Sequence, residues 1–182
     1  LQLQAGIRIK RAQRESGSMS AKVAIVMGSK SDLEVMAECR KVLEELNVEN
    51  VVRIISAHRT PDVAHEFATQ AAANGIRIII AAAGKAAHLA GVLAGLTTLP
   101  VIGVPMTTSD LGGLDSLLSM VQMPAGIPVA TVTIGKTGAE NAGLLAVAIL
   151  ALSDEALAAK LQVYRERMRE EVRRADAEIQ GQ

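Results

Sequence analysis

Residues 22–32 read KVAIVMGSKSD, an apolar, largely β-branched run that breaks at Gly28 and passes into Ser29, Lys30, Ser31 and Asp32. A strand with one wet face alternates apolar and polar residues. A strand that is apolar throughout is covered on both faces. The same kind of run returns at 51–56, 76–82, 100–104 and 129–134. Between the runs, apolar residues recur at helical spacing over 32–46, 61–74, 114–121, 141–152 and 154–177, and an Ala/Gly-rich stretch turns helical near 88–96. Buried strands alternating with helices predict a parallel sheet with helices on both sides, a three-layer doubly wound α/β domain. In such folds ligands bind beyond the carboxyl ends of the strands. Each stretch with chemical character lies at such an end.

The chain has 182 residues, enough for one domain, and about half are apolar. We assign 19–182 to that domain, with a C-terminal helix over 154–178. Residues 1–18 lack an initial methionine and carry Arg8, Lys10, Arg11 and Arg14 before Met19, which reads as a leader or vector remnant. Lys plus Arg and Asp plus Glu number 19 each, and this balance argues against a nucleic-acid or acidic-membrane partner. Phe67 and Tyr164 are the only aromatics of their kind and there is no tryptophan, which removes base-stacking platforms. The apolar stretches fall short of the ~20 residues of a membrane span, so a soluble, cytoplasmic protein is expected. Cys39, the single cysteine, sits at an apolar helical position and reads as a buried thiol.

Three stretches carry chemistry. GSKSD (28–32) can hold an anion on its serines and on the amides of a helix start, and Asp32 suits ribose hydroxyls. It reads equally as a plain N-cap at Ser31 or Asp32. It lacks the glycine spacing of dinucleotide or nucleoside-triphosphate loops. SAHRTP (56–61) joins an imidazole, the side chain best matched to proton transfer near neutrality, to a guanidinium that grips phosphate with a planar fork. The competing reading makes His58 and Arg59 solvated loop residues. Thr60-Pro61 is a helix start with proline at the first position. In AAAGKAAHLAG (81–91) small residues permit close backbone approach, and His88 falls within reach of the same crevice or serves as a hydrogen-bonded residue of a packed helix start. His65, mid-helix beside Glu66, reads as exposed. The segment 109–124 is glycine-hinged and then strongly apolar, which fits packing on another subunit or an ordinary core helix. Histidine spacing gives no metal set, and no nucleophile pairs with Cys39. Proton transfer on a phosphorylated small molecule, without metal or other cofactor, is what remains.

In order, VMGSKSD (26–32), SAHRTP (56–61), AAHL (86–89), LPVIGVP (99–105), GLDSLLSMVQMP (113–124), PVATVTIG (128–135) and NAGLLAVAIL (141–150) resemble the N5-carboxyaminoimidazole ribonucleotide mutases, the catalytic-subunit family of phosphoribosylaminoimidazole carboxylase. The resemblance spans about 22–152. It implies a flavodoxin-like sheet, a homo-octamer with sites at subunit junctions, and a cofactor-free isomerisation of a small ribonucleotide. It implies further that Ser29, Ser56 and Arg59 hold the phosphate, that Ser31 and Asp32 hold the ribose, and that His58 is the acid/base with His88 positioning the base or carboxylate. Ala57, Gly84, Lys85, Ala86 and Leu89 complete the substrate contacts. The SAHRTP form implies the mutase rather than a carboxylase using free CO2. That carboxylase and a non-catalytic phosphoribosyl-binding module are the alternatives, though a binding module needs no titrating histidine. The family pattern has glycine where this chain has Lys85 and proline where it has Ala90.

Overall fold

A computed structural model describes residues 23–181. The stretch 1–18 lies outside them. Five strands, β1 (Val23–Met27), β2 (Asn50–Ile54), β3 (Ile78–Ala83), β4 (Val101–Pro105) and β5 (Ala130–Thr131), form one sheet in the order β2-β1-β3-β4-β5. Every pairing is parallel, with Ile25 beside Val52 on one side and Ile80 on the other. This is the flavodoxin-like strand order of doubly wound sheets. Six helices cover it: α1 (Leu33–Glu45), α2 (Pro61–Gln70), α3 (Leu89–Ala94), α4 (Leu114–Val121), α5 (Gly135–Ala151) and α6 (Glu155–Gln180).

The pleat sends alternate residues of a strand to opposite faces. Val23, Ile25 and Met27 of β1 join Ile78 and Ile80 of β3 in a core under α1 and α5, where Cys39 is fully buried. Ala24 and Val26 join Ile79 and Ala81 in a second core under α2, α3 and Met120 of α4. Burial pushes the Cys39 thiol up to about 12, so it stays protonated and inert.

The structure corrects several boundaries. β2 is an edge strand with Ile54 half exposed, so burial on both faces does not extend to it. β5 shrinks from the expected 129–134 to Ala130–Thr131. α2 ends at Gln70, short of the expected 74, and α6 runs on to Gln180. The largest error is the start of α5, which begins at Gly135 and not at 141. Gly135 and Gly138 suggest a loop by composition, yet they serve close packing. Further along the same helix, a Cβ on Gly143 would lie 3.1 Å from the Cys39 carbonyl oxygen, so α5 meets α1 nearly backbone to backbone. α6 starts at an N-cap, Asp154, whose Oδ1 accepts the Leu157 amide at 3.0 Å. Beyond Tyr164 its side chains are exposed and linked by ion pairs such as Arg169–Glu166 and Arg174–Glu170. Among the described residues no helix is long and apolar enough to cross a membrane.

Candidate active site

The carboxyl ends of β1, β2, β3 and β4 open into one cleft of ≈ 500 Å³. All twelve residues singled out by the sequence line it: Ser29, Ser31 and Asp32 after β1, Ser56, Ala57, His58 and Arg59 after β2, and Gly84, Lys85, Ala86, His88 and Leu89 after β3. β1 lies between β2 and β3, so the three loops project from adjacent strands.

After β1 the chain makes a single 3-10 turn, Lys30–Asp32, before α1. Ser29 caps that turn, its Oγ accepting the Ser31 amide at 3.3 Å and lying 2.9 Å from the Ser31 hydroxyl oxygen, which can accept its proton. Asp32 occupies the N-cap position of α1 but makes no side-chain capping bond. Its carboxylate instead accepts the Ser31 hydroxyl at 3.0 Å and faces the cleft. Burial raises the Asp32 carboxyl above its ordinary range, offset in part by hydrogen bonds from the Ser31 side chain and the Ser29 backbone.

The turn after β2 is braced internally. The Ser56 amide donates to the Thr60 hydroxyl at 3.0 Å, and that hydroxyl donates to the Ser56 carbonyl at 3.1 Å. Thr60 therefore spends its side chain holding the turn and not capping α2, whose first residue is the expected Pro61. The brace presents His58 and Arg59 outward, both exposed. The Arg59 guanidinium donates through Nη2 to the Gly28 carbonyl at 2.8 Å, and Nε reaches the Ser56 Oγ at 3.4 Å. Both partners are neutral, so the full positive charge stays available at the cleft.

His58 and His88 meet across the site. Nε2 of His58 lies 2.8 Å from Nδ1 of His88, with the rings edge to face at 5.0 Å between centroids. A bond of this kind needs one of the two nitrogens to be protonated and the other not. His65 is exposed on α2, away from the cleft.

The fourth wall was not read from the sequence. Met106, Thr107, Thr108 and Ser109, after β4, also line the cleft. The Thr108 hydroxyl donates to Asp115 Oδ1 at 2.8 Å and accepts the Gly113 amide at 3.1 Å, tying the loop to the start of α4. A Thr-Thr-Ser turn carries no distinctive chemistry, and only the adjacency of β4 to β3 brings it here. Lys85 sits at φ 57°, the left-handed region that glycine adopts freely. Among the described residues no group of three or more His, Cys, Asp or Glu side chains is placed to hold a metal ion.

Against known proteins, a family model described as AIR carboxylase matches residues 22–171. N5-carboxyaminoimidazole ribonucleotide mutase of Haemophilus influenzae is 56% identical over 149 residues, covering 82% of this chain and 91% of that one. The protein of the same name from Pyrococcus abyssi is 58% identical over 148 residues, covering 81% and 84%. A crystal structure of Treponema denticola PurE superposes with a TM-score of 0.78 at 29% identity, covering 86% of this chain and 96% of that one.

Proposed function

The chain belongs to the AIR carboxylase family, and from that premise we propose that it isomerises N5-carboxyaminoimidazole ribonucleotide to 4-carboxy-5-aminoimidazole ribonucleotide in cytoplasmic purine biosynthesis. The observation that carries the reading is the His58–His88 contact at 2.8 Å inside a cleft that also holds a guanidinium and a half-buried carboxylate. Arg59, with Ser29 and Ser56, takes the phosphate, since a planar fork and hydroxyls match its oxygens. Asp32 and Ser31 accept and donate to the ribose hydroxyls. Ala57, Gly84, Ala86 and Leu89 give the ring small or apolar neighbours.

The chemistry then needs one proton moved twice. His58, as imidazolium, gives its proton to N5 as the carbamate C–N bond breaks, releasing CO2 and leaving neutral 5-aminoimidazole ribonucleotide. C4 of the ring attacks the retained CO2, forming the new C–C bond. Neutral His58 removes the C4 proton, which restores aromaticity and the imidazolium together. Protons and electrons balance, with no co-reactant consumed. His88 steadies the His58 ring between the two transfers, the role an imidazole partner plays for a general acid/base.

Carbon-labelled substrate separates the readings. With the N5-carboxylate labelled and unlabelled bicarbonate in the buffer, the product is expected to keep most of its label, because CO2 passes from N5 to C4 within the site. Loss of the label to the buffer pool would instead mark a carboxylase that uses free CO2. Binding without product would mark a module.

We propose also that the chain assembles into a homo-octamer. Leu111, Leu114, Leu118 and Val121 expose a contiguous apolar face before and along α4, with between 46% and 62% of each residue accessible. Four such side chains on one short segment form a patch of the kind that subunits cover. Light scattering at micromolar concentration is expected to give several times the mass of one chain. A single-chain mass would end this proposal.

A further inference from the structure

The cleft lining carries two permanent cations, Arg59 and Lys85. They hang from β2 and β3, which flank β1 and so lie roughly 10 Å apart. Arg59 touches only neutral groups. Lys85 does not: its Nζ pairs with Asp110 Oδ2 at 2.5 Å, both side chains being well exposed. The backbone beneath that ammonium is fixed. The Lys85 amide donates to the fully buried Ser116 hydroxyl at 3.0 Å. Only the flexible stem of Lys85 is left to move, and an exposed lysine–carboxylate pair is weak enough to exchange partners readily. Lys85 is also three residues before His88, on the loop that delivers the histidine pair.

We propose that Lys85 is a specificity-determining residue with a built-in competitor: Asp110 holds its ammonium in the free protein and yields it to the carboxylate of an incoming carboxylated ribonucleotide. The inference rests on the functional reading above, which supplies a ligand with two anionic groups. Arg59 takes the phosphate end and Lys85 the carboxylate end. The pairing keeps both partners ionised, because the Asp110 hydrogen bond and charge hold Lys85 above its ordinary range and Lys85 holds Asp110 below its own. The cation is therefore present whenever the ligand arrives, and Asp110 sets how much of it the ligand receives.

Calorimetric titration of two ligands, 4-carboxy-5-aminoimidazole ribonucleotide and 5-aminoimidazole ribonucleotide, isolates the carboxylate. Asp110→Asn is expected to tighten the carboxylated ligand about two- to fivefold, and Lys85→Met to weaken it by a similar factor. Methionine keeps an unbranched stem and the same backbone preference as lysine, so relief of the left-handed conformation does not intrude. In the double variant the Asp110→Asn gain should largely vanish. The uncarboxylated ligand should stay within about twofold throughout, and the differences should shrink at high ionic strength. Weaker or unchanged binding of the carboxylated ligand by Asp110→Asn would make the pair a structural brace and overturn the proposal. Equal changes for both ligands would overturn it too. Failure of the parent protein to bind either ligand would sink the functional reading, and this inference with it.

Discussion

Replacing His58 with asparagine is expected to lower turnover by a factor of at least about 10²–10⁴, the usual contribution of a general acid/base, while ribonucleotide affinity barely changes. Asparagine matches the imidazole only as far as its Nδ1, so it gives up the contact that Nε2 makes with Nδ1 of His88 at 2.8 Å and adds no bulk to the cleft. It cannot carry a proton away or return one. Loss of the C–N bond without a proton for N5 would expel a poor leaving group, so the first step stalls before CO2 forms. The proposed phosphate contacts are those of Arg59, Ser29 and Ser56, and the turn that holds residues 56–60 is braced by Ser56 and Thr60 without His58. Single-turnover kinetics beside calorimetric binding reads both quantities. Turnover at the parent rate would end the assignment. Equal loss of binding and turnover would make His58 a ligand-holding group and not a proton carrier.

The second large effect falls on stability. Gly138→Ala is expected to cost about 3 kcal/mol or more, beyond the middle of the range for overpacked positions. A Cβ there would overlap the Thr133 carbonyl oxygen and lie 2.7 Å from its carbon. Both atoms are backbone, so no side chain can swing aside, and the turn joining β5 to α5 must open. Gly28→Ala is the control: nothing lies within 4 Å of the added methyl, so stability should change by roughly 0.5 kcal/mol or less. Urea unfolding of both variants measures the contrast. Similar midpoints for the two would show that the turn relaxes freely and that α5 is not locked to Thr133.

These two positions mark what the sequence could and could not disclose. His58 announced itself, because histidine beside arginine at a strand end has few structural uses. For the same reason residues 28–32, 56–59 and 84–89 were all legible as wall segments, and β1 and β3 as buried strands. His88 was legible as a residue of the same crevice, but its direct contact with His58 was not: it spans thirty residues and exists only because β2 and β3 flank β1. Gly138 misled, since glycine in sequence is read as a loop signal and the atoms it must clear belong to a carbonyl five residues back. Ile54 misled in the other direction. An apolar residue in a strand suggests burial, yet edge position is a property of the whole sheet. Thr107 and Thr108 stayed silent because hydroxyls in a turn suit many turns equally.

Ordering a leucine or methionine against a partner freezes side-chain rotors, whereas ordering glycine or alanine freezes none. The buried side of α5 is built from Gly135, Gly138, Ala139, Ala142, Gly143 and Ala146, with Leu144 and Val147 as its two larger members. Its glycines and alanines let α5 approach α1 at little cost in rotamer entropy, while Val42 of α1 packs directly over Gly143. α1 and α5 therefore sit at backbone distance from one another. Asp32 stands at the head of α1, and Gly135, at the head of α5, is close enough to Thr107 that an added Cβ would come within 3.2 Å of its hydroxyl. The close packing of these two helices thus sets the spacing between the carboxylate wall of the cleft and its threonine wall.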